Sequence, residues 1–482
     1  MASYMARAAV FGKAAWTKEG LLRVRFGAAL LVVAVAVVIA TAMRRPPVPT
    51  GDHAGAPGPI RVALAAPGAL GAPWRLTVKT PTPRARLDLG PSLAGRRQAA
   101  WTPLTPGVAI GTNVDRDVLT ASTPTTVWEV AVAAVPLEGV KDYTPIRPFG
   151  ADGALVYTGA FHPFAADRRR AEARFSVTPG AGRAVFAFGG VEDAIADWRS
   201  PGNHPAFLLV ADAEFLRGAG AEIVVAPETP AWLAAAARRQ WETISARYDA
   251  AFGPAAPPRA DVFVSYRPGG AAGRLSYAGD ALPGQIQITF SGGAWASSSP
   301  ENERLLARAL AHEGAHLRQM AVRPVGPGVP AWIHEGAAEA VAAEALVATG
   351  LWSAADRAAV QAEARAACRR RADDVPLNAV ERAGDAGPAY DCGRLAFDAL
   401  ARATGRSATD LWRAFAAAVA DDDGYDEAAL FRFVEGAGDA DFAAALRTFA
   451  TARYARPEKA VAQLDAAATK ARAAALERAA GD

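Results

Sequence analysis

Cysteine is nearly missing from this chain: its 482 residues include two, Cys368 and Cys392. Two thiols are too few for a disulfide scaffold or a cysteine-built metal site. They leave two readings open, a single bridge formed in an oxidising compartment or two separate buried thiols. A dominant charge is missing too, since 52 basic side chains face 49 acidic ones and leave a formal net charge of +3. No concentrated basic face is evident, and without one the phosphate tracking of a nucleic-acid partner is excluded. The abundance of Ala, Gly and Pro weakens arguments from helix or strand propensity alone. At this length the chain can bury more than one core, and two or three domains are expected.

One long apolar run is present. Residues 26–43 are 18 positions without a charge, and as a helix they would cover about 27 Å, close to the hydrocarbon thickness of a bilayer. Arg7, Lys13, Lys18, Arg23 and Arg25 precede the run, against Glu19, and Arg44 and Arg45 follow it. This pattern predicts a transmembrane signal-anchor helix, with residues 1–25 cytoplasmic and the C-terminal part outside the cell membrane. The small-x-small stretch Ala40-Thr41-Ala42 offers the competing reading, a long signal peptide cleaved after Ala42 to give a secreted protein. Residues 44–59, rich in Pro and Gly, read as a linker.

The exported part has two textures. Residues 60–228 hold short runs such as Trp74-Arg-Leu-Thr-Val, Thr126-Val-Trp-Glu-Val and Ala173-Arg-Phe-Ser-Val, punctuated by Pro and Gly, which predicts a β-rich accessory domain. His162 and His204 fall there on loop-like segments, as ordinary surface or packing histidines. Helical spacing begins at Pro230, with Trp232, Trp241, Ile244 and Tyr248 along one stretch. Asp261–Tyr266 reads as a strand. Gln285–Phe290 alternates polar with apolar residues, which predicts a half-exposed strand with Ile286, Ile288 and Phe290 facing the core. Helices are expected over 302–320 and 329–347, and almost throughout from Ser353, with a break at Asp421-Asp422-Asp423-Gly424. The domains are thus an accessory domain at 60–228, a core at 229–352 and a helical subdomain at 353–482, an α+β chain.

Chemistry is concentrated in His312-Glu313-Gly314-Ala315-His316. Four residues advance a helix by about 400°, so His316 returns under His312 and two neutral imidazoles can hold one Zn²⁺. Glu313, rotated by about 100° from His312, can reach a zinc-activated water without ligating, as a general base must. Eighteen residues separate His316 from Glu335, and Pro324, Gly326, Pro327 and Pro330 allow the chain to turn back between two helices. Glu335 is then available as third ligand, and Glu339, one turn on, can fix the tautomer of a liganding histidine, His312. His334 competes for the ligand position, but it points about 100° away from Glu335 and suits a substrate-pocket or supporting role better.

The pattern His312-Glu313-x-x-His316, eighteen residues, then Glu335 within Trp332-Ile-His-Glu-Gly-x-Ala-Glu339 resembles the gluzincin superfamily of zinc metallopeptidases, particularly its aminopeptidase-like members. The resemblance covers roughly residues 230–435. It implies a mostly helical, thermolysin-like catalytic domain after the β-rich one, zinc held by His312, His316 and Glu335, and Glu313 as base. It also implies an oxyanion-stabilising tyrosine, for which Tyr390 is the candidate, a packing role being the alternative. The family's Gly-Ala-Met-Glu-Asn motif, which anchors a free substrate amine, is absent, and Gly284–Phe290 takes the comparable edge-strand place. That absence implies an endopeptidase or a peptidase of unspecified preference. A peptide or protein is the expected substrate, and a non-catalytic envelope binding or scaffold protein is the alternative.

Overall fold

Short runs of β-branched and aromatic residues between Pro and Gly turns build strands through the first half of the chain. The computed structural model describes residues 58–481 except 70, 92–95, 114–115, 135–143, 166–169, 200–203, 219–221, 254–259, 270–274, 323–328, 372–374, 381–386, 420–423, 438 and 455–456. The strands are β1 (Ile60–Ala65), β2 (Trp74–Pro91), β3 (Trp101–Pro103), β4 (Val108–Asn113), β5 (Arg116–Val132), β6 (Ile146–Phe149), β7 (Gly153–Tyr157), β8 (Ala173–Thr178), β9 (Arg183–Ala187), β10 (Gly190–Glu192), β11 (Ile195–Trp198), β12 (Phe207–Asp212), β13 (Ile223–Val225), β14 (Asp261–Arg267), β15 (Ser276–Leu282) and β16 (Gln285–Ser291). The helices are α1 (Arg96–Ala100), α2 (Ala213–Gly218), α3 (Ala231–Phe252), α4 (Pro300–Val322), α5 (Ala331–Ala348), α6 (Ala354–Arg371), α7 (Gly387–Thr404), α8 (Ala408–Ala418), α9 (Glu427–Gly436), α10 (Ala440–Thr451) and α11 (Pro457–Gly481).

The accessory half is a pair of sheets. One runs β11-β8-β1-β2-β5-β3 with β4 also on β5, and the other runs β10-β9-β12-β7-β6. Val62, Leu76, Val78 and Val130 of the first share a core with Val156, Val185 and Leu209 of the second. Period-two alternation explains the packing: in β1 Val62 and Leu64 are buried while Arg61 and Ala63 are exposed. His162 lies inside this core, its Nε2 donating to the Ala171 carbonyl at 2.7 Å and its ring edge-on to Phe175. Burial lowers its pKa from 6.5 to about 4. An unfolded chain therefore takes up a proton at His162 between those values and the folded chain does not, so stability falls as pH drops through that window. The loss amounts to roughly 3 kcal/mol. Urea midpoints compared at pH 7 and pH 4.5 should show it, and His162→Gln, which keeps the donor to Ala171, should reduce the difference.

The third sheet, β13-β14-β16-β15, positions the site. β13, β14 and β16 are parallel, and β15 closes the edge antiparallel to β16. The strand expected over 285–290 exists, but two features of the expectation are corrected. It is interior, and it is buried on both faces: Ile286, Ile288 and Phe290 meet the helices, whereas Gln285, Gln287 and Thr289 meet the accessory half. Polar side chains there satisfy a buried domain seam rather than solvent, so alternation of polarity did not mean exposure. The edge is β15, which carries Tyr277-Ala278-Gly279-Asp280.

Helices follow almost throughout from Pro300, and the last part of the chain wraps around α5 and α7. These two cross at a pair of glycines, where a Cβ on Gly336 would lie 2.3 Å from the Gly393 carbonyl carbon. Only glycine permits that approach. Cys368 on α6 and Cys392 on α7 form a disulfide, which resolves the two readings of the thiols. The bridge closes a loop of 24 residues. By restricting the unfolded chain it should contribute about 3 kcal/mol. The double variant Cys368→Ala/Cys392→Ala should unfold at correspondingly lower denaturant, and the intact chain should weigh two hydrogens less before reduction than after.

The run at 26–43, the cleavage site after Ala42 and the acidic stretch 421–423 lie outside the described residues. Among the described residues no helix is long and apolar enough to cross a membrane. The membrane and signal-anchor expectation is thus corrected for the described residues, where the most apolar long helix, α5, buries Trp332, Ile333, Val341 and Leu346 against its neighbours.

Candidate metal and catalytic site

α4 presents the site because its start and its middle are fixed. Ser299 accepts from the Asn302 amide at 3.1 Å at the start. In the middle, the Tyr248 hydroxyl of α3 donates to the Ala311 carbonyl at 2.6 Å. Gly314 faces the same ring, and a Cβ there would come within 2.9 Å of it. α4 is thereby locked with His312, Glu313 and His316 turned toward α5 and β15.

The structure brings His312, His316 and Glu335 together. His312 Nε2 and His316 Nε2 are 3.1 Å apart, and each is 3.1 Å from the same Glu335 oxygen, Oε2. Three lone-pair atoms at these spacings leave a point about 2 Å from each, the distance at which imidazole nitrogen and carboxylate oxygen bind zinc. No other group of three or more His, Cys, Asp or Glu ligand atoms converges in this way among the described residues. The donor set fits Zn²⁺ in a catalytic arrangement, since three protein ligands leave a coordination position open.

Around the ligands sits a second ring of contacts. Glu339 Oε1 lies 3.2 Å from His312 Nδ1, and its Oε2 receives Arg308 Nη2 at 3.0 Å. Despite burial, Arg308 and His312 hold the Glu339 carboxyl well below its usual range. Burial lowers the pKa of His312, but the carboxylates of Glu335 and Glu339 outweigh it and raise the imidazole to about 10 when no cation shares the site. His316 Nδ1 is 2.9 Å from Gln319 Oε1, which leaves Nε2 facing the ligand point. His334 is close to His316, with ring centroids 6.0 Å apart, yet it stands outside the converging set.

Glu313 is buried directly beneath the edge strand. A Cβ on Gly279 would lie 2.4 Å from its Oε1, so the strand can pass over the carboxylate only as glycine. Burial raises the Glu313 pKa, His312 and His316 lower it, and Glu335 and Glu339 raise it. Tyr390, on the first turn of α7, lies with its ring 5.5 Å from that of His312 and its hydroxyl bonded to Glu335. Burial, then Glu335 and Glu313, push its phenol upward, so it stays a protonated donor.

Several contributors escaped the sequence reading. Arg308 stands four residues before His312 and Gln319 three after His316, spacings that place them on the same helix face. Asp280 on β15 is harder to find, because no motif marks it. Burial raises its pKa, Arg147 lowers it and Glu313 raises it, to about 7. Arg147 comes from β6 of the accessory half, 3.6 Å from Asp280 and bonded to Gln287 at 2.6 Å.

The fold is gluzincin-like, a β-rich part followed by a helical one, and the three ligand atoms converge on one point within it. No known family model and no curated protein matches the sequence. Among solved structures, the chain is similar to an aminopeptidase N family protein from Idiomarina loihiensis. The two are 11% identical, with a TM-score of 0.58 over 82% of this chain and 76% of that one. An M1 zinc metallopeptidase from Deinococcus radiodurans is 18% identical, with a TM-score of 0.46 over 82% of this chain and 94% of that one. The first likeness establishes the fold: a β-rich part followed by a mostly helical one.

Proposed function

We propose that this chain is a zinc-dependent metallopeptidase that hydrolyses peptide bonds outside the cytoplasm. The convergence of His312, His316 and Glu335 on one point, with Glu313 beside it under the edge strand, carries this reading. A disulfide between Cys368 and Cys392 favours an oxidising compartment. When bound, Zn²⁺ supplies Lewis acidity at the scissile carbonyl and eases deprotonation of water. Glu313 accepts the proton of the attacking water and returns it to the leaving amine. The Tyr390 phenol donates to the oxygen on which negative charge develops. β15 offers its free edge to an extended peptide through backbone hydrogen bonds.

The endopeptidase preference is not supported. It rested on the absent Gly-Ala-Met-Glu-Asn motif, with Gly284–Phe290 in the comparable edge-strand place, and that strand is interior. The true edge carries a carboxylate, Asp280, whose Oδ2 is taken by Arg147 and Gln287 and whose Oδ1 can receive a substrate ammonium. The similar structure is also described as an aminopeptidase N family protein. We therefore favour cleavage from a free N-terminus. Zinc-loaded chain incubated with matched peptides, one with a free and one with an acetylated N-terminus, tests this; equal turnover of both would reject amine recognition. Absence of stoichiometric zinc, with peptide libraries left intact, would reject the peptidase reading itself and favour a scaffold.

Tyr390→Phe separates a catalytic from a packing tyrosine. A transition-state donor predicts kcat lower by roughly 10²–10³-fold with KM and zinc content little changed. Unchanged kcat would reduce Tyr390 to a packing ring against His312.

A further inference from the structure

Beyond the metal site, the helical part holds an open cavity of about 490 Å³ between α5, α6, α7, α11 and the start of α8. Four arginines line it, Arg357, Arg402, Arg406 and Arg472, against two carboxylates, Glu344 and Asp398. Asp398 pairs with one of them, Arg357, at 3.9 Å, and the remaining hold on both carboxylates comes from elsewhere. Glu344 accepts from the Thr409 amide at 3.3 Å and lies 3.7 Å from Arg247. Asp398 is nearly buried, 3.7 Å from the enclosed Arg394 and bonded by Gln361 at 3.3 Å. Arg402 is held by Asp465, which also binds Arg365.

Arg406 and Arg472 have no carboxylate within ion-pair distance among the described residues. The Arg472 guanidinium lies over Gly405: its Nη1 is 1.8 Å from where a Cβ would stand, and Gly405 has φ +65°. Only glycine at that turn lets the guanidinium lie across it. The start of α8 is already capped by Ser407, which accepts from the Asp410 amide at 3.0 Å, so the guanidinium groups rather than the helix end provide the unspent positive charge. Like charges gathered around a cavity cost stability unless an anion joins them. Planar guanidinium forks match phosphate oxygens two at a time.

From this we propose that the cavity is a binding site for a small molecule carrying two or more phosphate groups, independent of the metal centre. Calorimetric titration of the full, chelator-treated chain with inorganic pyrophosphate at low salt tests it. The expected result is saturable one-to-one binding that weakens at least tenfold in Arg406→Gln/Arg472→Gln and persists in His316→Ala. Arg406→Gln alone, at an exposed position, should weaken binding severalfold while leaving the melting temperature unchanged or slightly higher. Citrate should bind more weakly than pyrophosphate. Absence of saturable binding, binding equal in the double variant, loss in His316→Ala, or citrate as tight as pyrophosphate would each overturn the proposal.

Discussion

Glu313→Gln is expected to keep one zinc per chain and to lose peptide hydrolysis by at least ~10³-fold, the upper range of general acid–base effects. The amide has the volume of the carboxylate, so the fit beneath Gly279, where a Cβ would meet Oε1 at 2.4 Å, is preserved. It cannot accept a proton from water, so the loss is chemical rather than structural. Stability should hold or rise, because burial raises the pKa of the replaced carboxylate, an effect that His312 and His316 offset only in part and Glu335 and Glu339 add to. Thermal melts and metal analysis of the same preparation separate these effects. A variant that retains zinc, melts normally and still turns over at the wild-type rate would remove Glu313 from the base role.

Much of this centre could be read from spacing alone. His312, Glu313 and His316 share one helix, and helical geometry fixes their relation before any tertiary contact is known. Glu335 needed only a turn and a second helix, and Trp332 to Glu339 supplied the pattern. The β-rich texture of the accessory half was legible because its core strands alternate, as Arg61 to Leu64 do. What stayed hidden depends on contacts between distant segments. Gln285, Gln287 and Thr289 look like a solvent-facing row, yet Arg147 and Phe207 of the accessory half bury them. Ser276–Leu282, with Gly279 and Asp280 at its centre, has no apolar rhythm, since an edge strand over an active site packs on one side and leaves its rim free. Asp280 and Arg147 stand 133 positions apart in the sequence, so no local pattern could pair them.

The ligand assignment predicts a graded series in zinc affinity. Glu335→Ala removes a first ligand and the negative charge shared by both imidazoles, and should lower affinity by more than ~10³-fold with loss of hydrolysis. Glu339→Gln leaves all three ligands but disturbs the contact 3.2 Å from His312 Nδ1. A loss of about 10–100-fold is expected there, the usual effect of an outer-shell partner. His334→Ala should change affinity little, because its ring lies outside the converging atoms. Stability gives an independent readout. Zinc at a thousand times its dissociation constant stabilises a folded chain by about 4 kcal/mol, so a chelator should lower the melting temperature of the wild type and of His334→Ala, but not of Glu335→Ala. The reverse order, with His334→Ala losing zinc and Glu335→Ala keeping it, would transfer the third ligand to the imidazole. It would also free Glu335, already bonded by the Tyr390 hydroxyl, for a role in proton transfer.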